Sequence, residues 1–171
     1  MESDLILIKK AMDLEALRYK TYKKISKKVF NREVKEILIK LSEVEKKHYN
    51  ILHEQISHIK RFKKINLSIL KKNKVELSKK EVNFNTISRI KSDIDLMKVA
   101  EEIEKNDVKF YENLSKKTKN KELKKVFIFL KKEEAMHIKI IKLKLQKLQK
   151  LNLKMSVAKD ARAMFYHYIN K

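Results

Sequence analysis

The chain has no cysteine, no glycine, no proline and no tryptophan in its 171 residues. Without cysteine there is no disulfide, thiolate zinc site, iron–sulfur cluster or cysteine nucleophile. Without glycine there is no phosphate-cradling loop, dinucleotide fingerprint or nucleophile elbow. Glycine and proline also end helices and shape tight turns, so their joint absence points to long helices joined by short polar links. Long apolar runs are missing as well. The longest, Val126 to Leu130, is about five residues and far short of a membrane span. Met1-Glu2-Ser3-Asp4 lacks the basic start of a signal peptide, so a soluble, cytoplasmic protein is expected.

Acidic residues are the minority charge. Against 22 Asp and Glu stand 44 Lys and Arg, a formal net charge of +22. Such an excess suits a nucleic-acid or anionic-membrane surface. It equally suits a solvated lysine surface of the kind seen in lysine-rich thermophilic proteins. The lysines are scattered over polar helix faces with few aromatics among them to stack bases, which favours the solvated surface.

What is present in quantity is helical periodicity. From Ser3 to about Val29 apolar residues recur at Leu5, Ile8, Met12, Tyr19, Tyr22, Ile25 and Val29, with Glu15 inside the stripe. After a turn at Phe30-Asn31, a second helix is predicted from Arg32 to Phe62, its stripe interrupted by Glu45 and His48. From Lys63 to Lys91 the period fades into a crossover long enough to span a bundle, with room for a short helix near Ile87 to Ile90. A third helix follows from about Asp93 to Thr118, with Glu104 in its stripe and Glu101 and Asp107 one turn to either side. After a turn at Lys119-Asn120-Lys121 a fourth runs to about Leu151. The segment Ser156 to Ile169 is amphipathic and predicts a fifth. The expected architecture is all-α: a four-helix bundle over residues 1–150, made of two helix hairpins and a long crossover, plus a C-terminal helix within 151–171.

The two hairpins repeat. A shift of 89 residues lays Glu15 on Glu104, Tyr22 on Tyr111, Glu45 on Glu134 and His48 on His137. Ala11 and Ala100, Asn31 and Asn120, and Leu41 and Leu130 coincide too. Chance similarity between lysine-rich helices would match lysines, not inward-facing Glu, Tyr and His. Glu45-Lys46-Lys47-His48 and Glu134-Ala135-Met136-His137 each place a carboxylate and an imidazole one turn apart on a core-facing stripe. Burying such groups without partners is costly. One Glu from each of two helices and a Glu-x-x-His from each of the other two is the ligand set of a carboxylate-bridged dinuclear site in a four-helix bundle. Oxygen and nitrogen donors without sulfur suit iron or manganese, and zinc remains possible. A lone Glu-x-x-His would favour a buried polar network instead. His53, His58 and His167 lack motif partners and read as surface residues. Tyr19 and Met97 read as core.

These residues, Glu15…Tyr22, Glu45-x-x-His48, Glu104…Tyr111 and Glu134-x-x-His137, resemble the ferritin-like superfamily, most closely rubrerythrin-type di-iron proteins, over about residues 3 to 150. The resemblance implies two irons and reduction of hydrogen peroxide or oxygen, as a peroxidase or ferroxidase in oxidative-stress defence and iron homeostasis. It equally allows an iron-storage or iron-transfer role. Either Glu45 and Glu134 or Glu15 and Glu104 would bridge the ions. Tyr22 and Tyr111 would orient carboxylates from the second shell, a role no better supported than plain core packing.

Three features depart from the patterns of this superfamily, the first two from rubrerythrins. No cysteine-ligated iron domain is present, so electrons must come from an external donor protein. Where a further Glu stands one turn beyond the third-helix ligand, this chain has Asp107, a weaker ligand candidate. Lys46 replaces the methionine that binds haem in bacterioferritin-like proteins. Expected partners are therefore a reductase-like donor and a second copy in a homodimer, with a membrane iron-transport partner possible. A nucleic-acid partner is less favoured. It predicts gel retardation of DNA that weakens steeply with salt, and no retardation at low salt would remove it.

Overall fold

A computed structural model describes residues 2–71 and 90–169. Five helices appear among them: α1 (Glu2–Ser26), α2 (Arg32–Phe62), α3 (Ser68–Lys71), α4 (Ile90–Lys117) and α5 (Lys121–Ile169). Helix α1 packs mainly on α2 and α4 mainly on α5, and α1–α4 and α2–α5 contacts join the two hairpins into one bundle. All four long helices come from one chain. Most of the predicted crossover, and the short helix expected near Ile87, lie outside the described residues.

Each hairpin turn is held by the same chemistry. Asn31 adopts an extended conformation (φ −71°, ψ 119°) and its side chain accepts from the Glu33 and Val34 amides. This satisfies two of the N–H groups that a helix start leaves unpaired. Asn120 does the same for the Glu122 and Leu123 amides at the start of α5. The opposite hairpin then clamps each turn. Asp93 of α4 accepts from the Phe30 and Asn31 amides at 3.1 and 2.7 Å, and Thr118 Oγ1 donates to Asp4 of α1 at 3.0 Å. Asp4 and Asp93 are themselves equivalent in the repeat, so the sequence duplication appears as a pseudo-two-fold axis between the hairpins.

The end of α2 shows what the lack of glycine costs. Its cap, Lys63, is left-handed (φ 56°, ψ 23°), with its N–H returning to the Ile59 carbonyl. Glycine usually fills that place because it escapes the Cβ clash. Here the following chain is tied back instead: the buried Gln55 amide both donates to and accepts from the Asn66 backbone, at 2.6 and 2.9 Å.

Two apolar clusters fill the bundle, each fed by all four long helices. One holds Tyr22, Val34, Leu38, Leu41, Met97, Ala100, Ile141 and Leu145. The other holds Ile8, Ala11, Leu52, Tyr111, Leu123, Phe127 and Leu130. Along each helix the residues between them are polar: Glu15 on α1, Glu45 and His48 on α2, Glu104 on α4, Glu134 and His137 on α5. Met97 is core as expected, whereas Tyr19 is only half-buried, its ring beneath Lys23 and Lys46. The amphipathic C-terminal segment is helical and continues α5 without a break, because no glycine or proline near Leu151 interrupts it. At 49 residues α5 is about 73 Å long against about 42 Å for the 28 residues of α4. No helix among the described residues is long and apolar enough to cross a membrane.

The equivalence of the two turns can be measured. Asn31→Ala and Asn120→Ala should each cost about 1 kcal/mol, lowering the melting temperature of the metal-free protein by about 2–4 °C. Glycine at either place should cost less. Unequal losses in circular-dichroism melts would contradict a two-fold arrangement of the caps.

Candidate metal centre

The polar layer is closed to solvent. Glu15, Glu45, His48, Glu104, Glu134 and His137 are each no more than 2% exposed. Their donor atoms form two overlapping groups, each gathered within 4.8 Å: Glu15, Glu45, His48 and Glu134, and Glu45, Glu104, Glu134 and His137. Glu45 and Glu134 belong to both, so they are the carboxylates that could reach two ions, while Glu15 and Glu104, the terminal carboxylates, each belong to one group. Each group takes one histidine. Nδ1 of His48 lies 3.2 Å from Glu134, 3.3 Å from Glu45 and 3.8 Å from Glu15. Nδ1 of His137 lies 2.9 Å from Glu134, 3.3 Å from Glu104 and 3.5 Å from Glu45. The two rings stack across the layer, 5.8 Å apart and 12° from parallel.

The tyrosines cross between hairpins. Tyr22 Oη of α1 donates to Glu104 Oε1 of α4 at 2.5 Å, and Tyr111 Oη of α4 donates to Glu15 Oε1 of α1. Each terminal carboxylate is thus oriented by the equivalent tyrosine of the other repeat. Burial pushes both phenols well above their ordinary range, and the carboxylate each faces adds to it. They stay protonated and keep donating.

Protein groups alone leave the layer unsatisfied. Glu45 Oε1, His48 Nδ1 and both oxygens of Glu134 are buried and make no well-directed hydrogen bond, although imidazole nitrogens lie 2.9–3.5 Å from the carboxylate oxygens as ion pairs. Orphaned buried polar atoms are rare in folded proteins and cost roughly 1–3 kcal/mol each. Of the five such atoms among the described residues, four belong to the shared glutamates and His48, and the fifth, Glu33 Oε1, lies outside the layer beside Lys144. Cations would satisfy the four in the layer, and the oxygen and nitrogen donor set fits iron or manganese, with zinc allowed.

The electrostatics agree. Burial, reinforced by Glu134 and Glu15, drives Glu45 well above the usual carboxylate range. Burial likewise lifts Glu104 to about 8, against the pull of His137. Burial would raise Glu134 too, but His137 and His48 hold it below its ordinary value. Both histidines are raised although burial opposes it, chiefly because Glu134 faces each of them.

All six ligand candidates from the sequence therefore meet in one layer, with Tyr22 and Tyr111 beside them. Asp107 does not join them. Arg18 holds it in a two-point ion pair, Nε to Oδ2 at 2.5 Å and Nη2 to Oδ1 at 2.6 Å. Arg18 was not singled out in the sequence, although the repeat places it opposite Asp107 with the opposite charge. Lys144 was missed as well. It is 5% exposed and donates to Glu33 at 2.6 Å, at the place where the other repeat has Gln55. Glu101 lies at the edge, partly exposed and paired with Lys105 at 2.9 Å. His53 is exposed, and His58 closes the end of α2 through the Lys64 carbonyl at 2.7 Å.

A four-helix bundle with a buried carboxylate–histidine layer, two Glu-x-x-His turns and two further glutamates defines a class of helical proteins whose buried donors could hold metal ions. Residues 3–147 match the ferritin-like domain family, and the chain belongs to that family. A hypothetical protein from Pyrococcus furiosus shares the fold, with a TM-score of 0.63 and 23% identity over 86% of this chain and 91% of that one. No curated protein matches the sequence.

A pH dependence follows for the metal-free protein. Glu104 titrates near 8 folded against an ordinary 4.5, so between these values the folded form keeps a proton that the unfolded chain releases. Stability then falls as pH rises across that window. The raised histidines act in the same direction: their contribution is present below the ordinary 6.5 and is lost as pH climbs through their folded values. Glu134, held low, acts only below its ordinary 4.5. With chelator present, urea midpoints should be lower at about pH 8 than at about pH 5.5, and divalent metal should reverse the trend while releasing protons. A metal-free protein more stable at the higher pH would contradict this electrostatic picture.

Proposed function

We propose that this protein is a rubrerythrin-like di-iron oxidoreductase that reduces hydrogen peroxide or oxygen. The observation that carries the reading is the pair of overlapping ligand groups sharing Glu45 and Glu134, whose orphaned atoms call for cations. Glu45 and Glu134 would hold both ions, Glu15 with His48 one of them, and Glu104 with His137 the other. Two bound irons would supply the electrons, which suits peroxide reduction: two electrons and two protons convert one hydrogen peroxide to two waters.

The chain's own residues do the rest. Tyr22 and Tyr111 keep the terminal carboxylates turned into the layer and hold a proton at each Oη. The apolar clusters on both sides exclude water, which strengthens every charge interaction inside. The 171 residues hold no cysteine to relay electrons, and in this reading a donor protein would restore the reduced state. A second copy of the chain and a cytoplasmic setting complete the proposal. Lys46, beside Glu45, offers no thioether for haem, so the chemistry rests on the dinuclear site.

Anaerobic titration of the metal-free protein with Fe(II) should saturate near two ions per chain. Peroxide should then oxidise both faster than oxygen does, with sustained turnover when a reductant is supplied. Because Glu45 and Glu134 are shared, Glu45→Ala or Glu134→Ala should abolish both ions, whereas His48→Ala or His137→Ala should spare one. Two-ion binding without peroxide turnover would replace the enzyme with an iron-storage or transfer module. Unchanged binding in the Glu45 and Glu134 variants would end the metal reading.

A further inference from the structure

The bundle is nearly two-fold symmetric around the polar layer, and beside that layer the symmetry breaks where Arg18 meets Asp107. Arg18 and Asp107 are equivalent in the two repeats, and each stands one turn beyond the terminal carboxylate of its own helix, Glu15 on α1 and Glu104 on α4. Equivalent positions facing each other across a two-fold axis would bring like charges together if they were identical. Here they carry opposite charges and form a fork, with both bonds at 2.5–2.6 Å across the α1–α4 seam. Asp107 is 3% exposed and the Arg18 side chain 16%, so the pair lies between the sealed layer and solvent. Its charges are felt inside: Glu134 and Glu15 add to burial in lifting the Asp107 carboxyl to about 6, against Arg18.

We infer that Arg18 and Asp107 are a positioning pair that sets the affinity of the centre for divalent metal by keeping the charge beside it at zero. The inference rests on the dinuclear reading. Four ligand carboxylates balance two divalent ions. A fifth, unpaired carboxylate one turn away would add negative charge in a medium that screens poorly, and a lone guanidinium would add positive charge. Held as a fork, the two cancel, and Asp107 is kept out of the ligand set.

The test is calorimetric titration of the metal-free full-length chain with Mn2+. Arg18→Gln should tighten binding, increasingly as pH rises because Asp107 without its guanidinium must first lose its proton, and Asp107→Asn should weaken it by about tenfold or more. The double variant should return close to the parent, and Arg18→Lys, which keeps the charge, should stay near it. A pair that merely braces the seam would weaken binding in both single variants. Loss in the same direction, or no change in either, overturns the inference. If Asp107→Asn does not fold, the comparison of Arg18→Gln with Arg18→Lys decides: tighter binding in the glutamine variant supports the inference, and equal or weaker binding overturns it. A parent protein that binds no Mn2+ would instead fail the metal centre itself, and this inference with it.

Discussion

Everything in this bundle is arranged around the burial of four carboxylates and two imidazoles in one layer. A layer of that composition is expensive for a folded protein. Each carboxylate loses its hydration, and the carboxylates repel one another at short range. Protein groups compensate only in part. Two tyrosine hydroxyls reach the terminal glutamates, while the shared glutamates keep buried oxygens that meet the imidazoles only as ion pairs, with no well-directed hydrogen bond. The fold tolerates this because the layer lies between two apolar clusters drawn from the same four helices. The hydrophobic stabilisation of those clusters, at about 25 cal/mol per Å² buried, offsets an unfavourable middle whose donors could hold cations.

The repeat explains how one chain makes such a layer. A single hairpin offers a terminal glutamate and one Glu-x-x-His, half of the buried polar layer with nothing to close it. Two hairpins related by a pseudo-two-fold axis supply the other half, and they exchange supports as well as ligands. Each tyrosine serves the other hairpin's glutamate, and each turn is held by an aspartate of the other hairpin. The same reciprocity explains why symmetry fails between Arg18 and Asp107. Equivalent charged residues that face each other repel if they share a sign, as Glu45 and Glu134 do, and Arg18 with Asp107 avoids that repulsion beside the layer.

Much of this was legible before any coordinates. Helix α2 begins and ends where the Asn31 cap and the apolar period place it. The six ligand candidates were visible because Glu and His inside an apolar stripe have no bland role that would also repeat 89 residues later. Other features were hidden for physical reasons. Which glutamates are shared depends on the depth of each helix in the bundle, and spacing along a helix does not encode that. Arg18 looked like one more basic residue on a lysine-rich surface, and only the opposing helix turns it inward. Lys144 was disguised in the same way. Past Leu151 the period shifts to another face, leaving Leu153 and Val157 exposed. A shift of face does not stop a helix, so α5 runs on where the pattern suggested a new element.

The most direct test of the central claim is crystallographic. Anomalous scattering at the iron edge, from crystals grown or soaked anaerobically with Fe(II), should show two peaks per chain about 3.5–4 Å apart. One should lie against His48 Nδ1 and Glu15, the other against His137 Nδ1 and Glu104, with Glu45 and Glu134 reaching both. A single peak in the layer, or iron found only on surface carboxylates, would contradict a dinuclear centre built from the two repeats.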